Sequence, residues 1–225
     1  MTLPDIKAVL LDIDGTLLDS VDLHAQAWVE AFAHFGIETE HAKVRSQIGK
    51  GGDQLLPVFV DRDRVKREGK AVEAYRSDLF KRNFLDKVRP FPGVRPLFER
   101  IRTEGQTIAL ASSGKADEVA HYKELLGIAD LVSVTTTSDD AERSKPFPDI
   151  FASALAKLAP LNAWDSMVVG DTAYDVQAAA KAGLPTIGVL CGGVSETELR
   201  TAGCVAIASD PQDLCDRYGE SLLAR

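Results

Sequence analysis

The sequence has few cysteines and no long hydrophobic segment, and both shortages exclude classes of protein. Its three cysteines, Cys191, Cys204 and Cys215, are an odd number without metal-site spacing, so we expect free, reduced thiols. No apolar run approaches the roughly 20 residues that a membrane-spanning helix needs. The first twelve residues lack the basic and apolar regions of a signal peptide. We therefore expect a cytoplasmic protein with no membrane partner.

Basic residues are scarce relative to acidic ones. The chain of 225 residues has 26 Lys and Arg against 34 Asp and Glu, which gives a formal net charge of −8. Nucleic acids and anionic membranes select for basic patches, so neither is expected as a partner. A small anionic ligand needs only a few local donors and is not excluded. With 45% hydrophobic and 27% charged residues, the chain is otherwise typical of a soluble globular protein.

Short apolar runs alternate with helical patterns along most of the chain. Each run is rich in Val and Ile and bounded by turn residues, as in a parallel strand that is covered on both faces. Helical spacing lies between the runs, for example in residues 94–101 before Gly105. This alternation predicts an α/β fold with a doubly wound, Rossmann-like parallel sheet. The expected strands are Ile6–Leu11, Thr107–Ala111, Leu131–Thr135, Met167–Gly170, Thr186–Leu190 and Val205–Ala208.

One connection is much longer than the others. A crossover between parallel strands needs about a dozen residues or more, but the stretch from Asp12 to Thr107 is far longer and contains no good strand candidate. A helical stripe runs from Leu23 to Phe35, and residues 61–88 keep a sparse apolar face. The stretch therefore indicates a helical insertion rather than a simple crossover.

The insertion divides the chain into two predicted domains. We expect a small helical cap domain over residues 18–88, inserted after the first strand. The catalytic core then consists of residues 1–17 and 89–225. The segment 89–93, Arg-Pro-Phe-Pro-Gly, has the proline and glycine content of a stiff point of return to the core.

Acidic pairs follow two of the expected strands. The first strand runs into Asp12-Ile13-Asp14-Gly15-Thr16, and alternate residues of a strand share a face. Asp12 and Asp14 would thus lie side by side, where two carboxylates repel unless a cation or a shared proton compensates. The fourth strand is followed by Asp171 and Asp175, which are one helical turn apart. Singly, each pair also fits a surface turn or a helix cap.

A hydroxyl-rich segment and a lysine follow two more strands. The second strand leads into Ser112-Ser113-Gly114, which offers a hydroxyl and several amides to an anion. Lys145 precedes the helix that begins near Pro148. Such features are individually common in caps and solvated loops. Because open α/β sheets bind ligands at the carboxyl ends of their strands, we expect these residues and the acidic pairs to converge on one site.

The ordered set of acidic pair, hydroxyl, lysine and second acidic pair resembles the four motifs of the haloacid dehalogenase superfamily. The stretches LLDIDGTLLDS, ALASSGK, SKPFPDIF and VVGDTAYDVQAAAKAGLPTIGV carry this resemblance, which covers essentially the whole chain. The helical insertion resembles the C1-type cap of that superfamily. Within it, the chain is similar to the phosphoglycolate phosphatase and β-phosphoglucomutase-like branches.

The resemblance implies a phosphatase that hydrolyses a small phosphorylated metabolite through an aspartyl-phosphate. It implies Asp12 as the nucleophile and Asp14 as the general acid and base. Ser112 is then the phosphate-binding hydroxyl, and Lys145 binds both the phosphate and the nucleophile.

The resemblance also implies a Mg²⁺ cofactor. Its ligands would be Asp12, the backbone carbonyl of Asp14 and Asp171, with Asp175 in the metal shell or orienting Lys145. Hard oxygen ligands suit Mg²⁺ better than zinc. The expected substrate contacts are Ile13, Thr16, His24, Lys50, Ser113 and Gly114.

A sugar phosphomutase and a catalytically silent phosphate-binding domain stay open as alternatives, whereas a dehalogenase is disfavoured. A dehalogenase lacks the second aspartate of the first motif, which argues against that chemistry here. A sugar phosphomutase of the β-phosphoglucomutase type is the nearest rival, but that branch typically has two adjacent acids where this sequence has Asp171 and Asp175 four residues apart. A catalytically silent phosphate-binding domain would not require a nucleophile. The expected oligomeric state is a monomer or a homodimer.

Overall fold

A parallel sheet of six short strands forms the centre of the computed structural model, which describes residues 5–224. Residues 1–4 and 225 of the predicted core, and the first part of the segment tested for a signal peptide, lie outside the described residues. Two further strands form a separate pair. The strands are β1 (Ala8–Leu11), β2 (Leu18–Asp19), β3 (Arg89–Pro90), β4 (Thr107–Ala111), β5 (Val134–Thr136), β6 (Ser166–Gly170), β7 (Thr186–Val189) and β8 (Ala206–Ala208).

The helices that cover the two faces of this sheet follow β3 in the chain, and residues 5–224 contain ten α-helices in all. They are α1 (Val21–His34), α2 (His41–Arg45), α3 (Gly52–Leu55), α4 (Arg62–Asn83), α5 (Val94–Thr103), α6 (Ala116–Leu125), α7 (Asp149–Lys157), α8 (Ala173–Lys181), α9 (Glu196–Ala202) and α10 (Pro211–Asp216). Short 3₁₀ turns lie at Leu56–Val58, Leu85–Lys87, Ser138–Asp140, Ala163–Asp165, Tyr218–Glu220 and Leu222–Ala224. Among residues 5–224, no helix is both long and apolar enough to cross a membrane.

The six-stranded sheet has the order β5-β4-β1-β6-β7-β8, and every neighbouring pair in it is parallel. All four residues of β1 are buried. Val9 and Leu11 belong to the hydrophobic cluster on one face, whereas Ala8 and Leu10 belong to the cluster on the other. Both faces are covered, which is why the strand has no alternating polar positions. The predicted doubly wound α/β fold is confirmed.

Helices α1 to α4 surround a hydrophobic cluster of their own. Trp28 and Phe32 of α1 pack there with Leu56 and with Val72 of α4. The last turns of α4 behave differently, because residues 79–84 contribute apolar side chains to a cluster that includes the sheet. The insertion thus has a separate core but is anchored to the main one. The domain boundaries at 17/18 and 88/89 stay a prediction.

The stretch from Asp12 to Thr107 does contain strands, contrary to the sequence-based expectation. β2 and β3 pair antiparallel, with Leu18 opposite Pro90 and Asp19 opposite Arg89. Each strand has only two residues, which is too short to produce a recognisable pattern. β2 leads from the sheet to α1, and β3 leads from α4 back to the sheet. Their pairing holds these two connections side by side.

The strand predicted at Leu131–Thr135 is also displaced, since β5 begins at Val134. The amide of Leu131 donates to the carbonyl of Ile128 at 2.9 Å, which makes the first apolar residues of that run part of a turn. Apolar character alone could not separate the turn from the strand that follows it.

Gly93 fixes the junction where the chain re-enters the main core. It precedes α5 with φ at +77°, and a Cβ built there would lie 2.5 Å from the Cα of Gln212 in α10. Gly105, after α5, has a nearly equal φ of +79° but no heavy atom within 4 Å of such a Cβ. Both glycines thus adopt the left-handed conformation, but only Gly93 is packed against another helix.

We predict that Gly93→Ala destabilises the protein more than Gly105→Ala does. The left-handed conformation should cost about 1 to 2 kcal/mol in either variant. Gly93→Ala should lose roughly 1 to 3 kcal/mol more, because backbone of α10 must move. Urea unfolding measures the free energy of unfolding of both variants. Equal losses in the free energy of unfolding would show that α10 can move to accommodate the added methyl group without a cost in stability.

Candidate active site

The side chains of Asp12 and Asp14 lie just beyond the carboxyl end of β1. The amide of Asp12 still donates to the carbonyl of Val169 at 3.0 Å, so parallel pairing with β6 continues to this residue. Asp12 is 5% exposed. At Gly15 the chain turns with φ at +82°, and a Cβ there would lie 2.2 Å from a carboxylate oxygen of Asp171. Glycine is required at this turn for both reasons.

Lys145 connects the elements of the site. Its Nζ contacts Oδ1 of Asp12, lies 2.7 Å from Oδ1 of Asp175 and donates to the carbonyl of Ala111 at 3.1 Å. The ammonium group thus donates to Asp12 and to the carbonyl of Ala111 and forms an ion pair with Asp175. Only 1% of Lys145 is exposed. Burial works against the charged ammonium, but Asp12 and Asp175 outweigh it and raise the pKa of Lys145.

Asp12, Asp171 and Asp175 form a buried acidic cluster, with one carboxylate oxygen from each residue within 4.8 Å of the others. Oδ2 of Asp175 accepts from the amide and hydroxyl of Thr172, at 3.1 and 2.6 Å, as part of the capping box of α8. Thr16 donates its hydroxyl to Oδ1 of Asp171 at 3.1 Å. Thr16 is fully buried in this contact, so the expected substrate-binding hydroxyl is directed to a carboxylate instead.

This acidic cluster fits a divalent cation. Oδ2 of Asp171 is buried and has no hydrogen-bond partner among the described residues. A Cβ on Gly192 would lie 1.8 Å from that oxygen, so two glycines, Gly15 and Gly192, leave room around it. Three buried carboxylates face one ammonium group, that of Lys145, and the unbalanced negative charge requires protons or a cation.

The pKa values of the cluster reflect this imbalance. Burial raises the pKa of Asp12 to about 7, with Asp175 and Asp14 adding to the effect and Lys145 opposing it. Burial, together with the charges of Asp175 and Asp12, raises the pKa of Asp171 well above its usual value. A bound cation would favour the ionised forms of both groups.

Ser112, Ser113 and Gly114 follow β4 beside the acidic residues. Oγ of Ser112 accepts from the amide of Gly114 at 3.0 Å, and Ser112 is 1% exposed. The Oγ of Ser113 is buried and has no hydrogen-bond partner among the described residues, which leaves it available to a ligand. Ile13 is fully buried, and its role as a substrate contact stays a prediction.

Asp14 is held by residues of α1 and its N-cap. Its Oδ1 accepts from Oγ of Ser20 at 2.6 Å and lies 2.8 Å from Nε2 of His24. Burial acts to raise the pKa of Asp14, but His24, Ser20 and the charge of Arg76 outweigh it and lower the pKa. The two aspartates of the first motif thus have pKa values shifted in opposite directions, which is typical of carboxylates with different roles.

A cavity of about 80 Å³ opens beside Asp12 and Asp14, and a larger one of about 240 Å³ shares part of its wall. Lys50 lines the smaller cavity, where its Nζ donates to Oε1 of Gln47 at 2.6 Å and lies 4.6 Å from the ring centre of Tyr174. Both cavities are lined by Trp28, Gly51, Gly52, Arg76, Ser113, Gly114 and Glu118.

Sequence reasoning missed three residues next to the site. Arg76 lies in the middle of the charged helix α4, and Glu118 and Tyr122 lie on α6. Their positions in ordinary helical patterns gave no local signal. Glu118 and Tyr122 are polar residues four positions apart, on the helix that follows the Ser112–Gly114 segment. That spacing places them on one helix face, but it indicates a role in the site only once the helices that face them are known.

Comparison with known proteins agrees with this geometry. The family model described as haloacid dehalogenase-like hydrolase matches residues 9–189. The phosphoglycolate phosphatase of Yersinia pseudotuberculosis is 33% identical over 192 residues, which cover 83% of this chain and 82% of that protein.

Solved structures are also similar to this chain over most of its length. The crystal structure of a hydrolase from Pseudomonas syringae has a TM-score of 0.86 and 27% identity, covering 95% of this chain and 98% of that one. A candidate β-phosphoglucomutase from Bacteroides vulgatus has a TM-score of 0.85 at 24% identity, covers 95% and 88% of the two chains and shows the shared fold alone. The match over most of the chain, together with the parallel sheet and the acidic site at its carboxyl edge, shows that this chain belongs to the haloacid dehalogenase-like hydrolase family.

Proposed function

We propose that the chain is a Mg²⁺-dependent phosphatase that hydrolyses a small phosphomonoester through an aspartyl-phosphate on Asp12. The contact between Asp12 and the buried Lys145, with Asp14 beside it, is the observation that carries this proposal. The family and the phosphatase relative support the reaction class. The free cysteines and the acidic net charge support a cytoplasmic location without a nucleic-acid partner.

In the first half-reaction, a carboxylate oxygen of Asp12 attacks phosphorus, and the bond from phosphorus to the leaving oxygen breaks. Asp14 donates a proton to that oxygen, so the product leaves as an alcohol. A substrate phosphate brings negative charge next to Asp14, which favours the protonated form of this carboxyl. Lys145 holds Asp12 in place and compensates charge as the phosphoryl group arrives.

In the second half-reaction, water attacks the phosphorus of the aspartyl-phosphate, and Asp14 takes up its proton. The bond to Asp12 then breaks, and inorganic phosphate leaves. Mg²⁺ held by Asp12, Asp171 and the carbonyl of Asp14, with Asp175 nearby, would neutralise the charge between phosphoryl oxygens and carboxylates.

Other residues orient this machinery. We propose that Ser112, Ser113 and Gly114 bind phosphate oxygens through hydroxyl and amide groups. Thr16 holds Asp171 through its hydroxyl rather than contacting the substrate. Lys50, in a cavity wall formed by the predicted cap (residues 18–88), is proposed to discriminate among leaving groups.

We predict that Asp12→Asn lowers turnover by at least about a thousandfold, because an amide is a poor nucleophile and a neutral metal ligand. The matched control is Asp19→Asn at a nearby exposed carboxylate of β2, which should leave turnover unchanged. The measurement is release of p-nitrophenol from p-nitrophenyl phosphate, with circular dichroism to verify folding. Activity of the Asp12 variant above a tenth of wild type would remove Asp12 from this role.

A second prediction concerns the metal and pH. Burial raises the pKa of Asp12 to about 7, above its unfolded value, so ionising it in the metal-free folded protein costs stability. The Tm of metal-free protein should fall as pH rises through about 7, and Mg²⁺ should offset the loss. The increase in Tm caused by Mg²⁺ should therefore be larger at about pH 8 than at about pH 6, where protons compete for the ligands.

Thermal melts with EDTA and with Mg²⁺ measure this difference. Asp171→Asn is the informative variant, because it removes one charged ligand and should abolish most of the Mg²⁺-dependent increase. An unchanged increase in that variant would locate the cation elsewhere. Activity should disappear in EDTA and return with Mg²⁺, while Ca²⁺ should inhibit because it prefers more ligands at longer distances.

A third prediction separates hydrolysis from phosphomutase activity. Both reactions would form the same aspartyl-phosphate and differ in whether water or a sugar hydroxyl receives the phosphoryl group. With β-glucose 1-phosphate or a preferred ester, inorganic phosphate should accumulate in step with the alcohol. A catalytic amount of a sugar bisphosphate should give no stimulation. Isomerised sugar phosphate as the main product would establish the mutase instead, with the same residue roles.

A further inference from the structure

The imidazole of His24, on α1, is enclosed by residues of α4 and α6 and by Asp14. Only 3% of His24 is exposed. Its ring stacks on Phe80 of α4 with centroids 4.0 Å apart and planes 9° apart. Nδ1 contacts Nη2 of Arg76, also on α4, and Nε2 lies 2.8 Å from Oδ1 of Asp14. Such a ring has a single orientation.

These contacts also determine which ring nitrogen carries the proton. A guanidinium group only donates hydrogen bonds, so Nδ1 of His24 must accept from Arg76. The proton of the neutral ring is then on Nε2 and is donated to Oδ1 of Asp14. Ser20 donates to the same oxygen at 2.6 Å. Oδ1 is therefore occupied by two donors, which leaves Oδ2 of Asp14 as the oxygen that can exchange a proton with substrate or water.

The third side of the imidazole is formed by Glu118 and Tyr122 of α6. Tyr122 donates its hydroxyl to Oε1 of Glu118 at 3.0 Å, and the same Oε1 lies 3.7 Å from Nε2 of His24. The hydroxyl oxygen of Tyr122 lies 3.4 Å from Nε2. Glu118 is 3% exposed and Tyr122 is fully buried.

The burial of the Glu118 carboxylate has to be compensated by its contacts or explained by a role in the site. Among the described residues, no Lys or Arg nitrogen lies within ion-pair distance of it, and its partners are Tyr122 and His24. Burying a carboxylate without a strong cation is costly. His24 contacts Asp14, and the hydroxyl oxygen of Tyr122 lies 3.4 Å from Nε2 of His24, so both partners connect Glu118 to Asp14.

We propose that Glu118 and Tyr122 are positioning residues for phosphoryl transfer, which fix His24 from the side of α6 so that His24 holds Asp14 ready for proton exchange. The proposal rests on the proposed function, in which Asp14 is the general acid and base. α1 and α4 belong to the predicted cap (residues 18–88), whereas α6 follows β4 of the sheet. The cluster is complete only when α1 and α4 are seated on α6, so it couples the seating of the cap to the orientation of Asp14.

Leaving-group dependence tests this role. Phenolate is a much poorer leaving group than p-nitrophenolate, so phenyl phosphate needs proton donation by Asp14 more than p-nitrophenyl phosphate does. The two esters have nearly the same shape. A residue that orients the acid should therefore matter more for phenyl phosphate, whereas a merely structural residue should affect both esters equally.

The experiment measures kcat/KM for both esters in wild type, Tyr122→Phe, Glu118→Gln and Glu118→Ala. Tyr122→Phe should lower kcat/KM for phenyl phosphate by about tenfold, which corresponds to the loss of one buried hydrogen bond, and should lower it less for p-nitrophenyl phosphate. Glu118→Ala should behave similarly, and Glu118→Gln should retain more activity because its amide oxygen can still accept from Tyr122.

Tyr218→Phe is the matched control. Tyr218 is also buried, and its hydroxyl donates to Gln106, away from the cavities beside Asp12. This variant should leave the ratio of the two kcat/KM values unchanged. Equal losses on both esters in the Tyr122 and Glu118 variants, or no loss, would overturn the positioning role.

Two further outcomes are distinguishable. If Tyr122→Phe does not fold, the kcat/KM values of Glu118→Gln and Glu118→Ala decide the positioning role, because Glu118→Gln preserves the shape of the side chain. If wild type hydrolyses neither ester, the proposed function fails, and the orientation of His24 is still measurable. The chain has four histidines, so ¹⁵N NMR can assign the Nε2-protonated form of His24 in wild type. Because Arg76 and Asp14 fix the tautomer, the informative quantity is the line width, and an unchanged ¹⁵N line width of His24 in Glu118→Ala would overturn the coupling.

Discussion

The buried ammonium group of Lys145 is the interaction on which the site depends. It contacts Asp12 after β1, Asp175 at the start of α8 and the last carbonyl of β4, and it is 1% exposed. Removing one partner of such a buried pair typically costs about 3 to 5 kcal/mol, because the other charge stays buried without compensation. The position of Asp12, the first turn of α8 and the edge of the sheet are therefore set together.

The same arrangement explains why a cation fits here. One ammonium cannot balance three buried carboxylates, and Asp171 keeps an oxygen without a hydrogen-bond partner among the described residues. Two glycines, Gly15 and Gly192, leave the space around that oxygen free of side chains. The fold thus maintains an unfavourable concentration of negative charge, which protons relieve in the metal-free protein and a divalent cation would relieve on binding.

Asp14 illustrates how the insertion becomes part of the site. Asp14 follows β1, but its donors Ser20 and His24 belong to the N-cap and first turns of α1. His24 is in turn enclosed by α4 and α6. The orientation of Asp14 therefore depends on the packing of three helices, so an insertion with its own hydrophobic cluster can influence the arrangement of side chains at the sheet.

The sequence by itself determined the class of fold and the family. Continuous apolar runs identify strands that are covered on both faces, and residues at their carboxyl ends converge because parallel strands end at one edge. Asp12, Asp14 and Asp171 lie where that rule expects them, just after β1 and β6, whereas Lys145 lies nine residues beyond the end of β5. The sequence pattern could not reveal β2 and β3, because a strand of two residues has no periodicity.

Tertiary structure alone decided which side chains meet across elements. Thr16, expected at the substrate, donates to Asp171, and Glu118 and Tyr122 reach His24 although about a hundred residues separate them in the chain. Hydrogen-bond partners at such separations depend on how helices pack against one another, and local sequence patterns record only which face of a helix is apolar. The sequence therefore specified the edge of the sheet at which the site lies, and packing specified how Asp14 is held there.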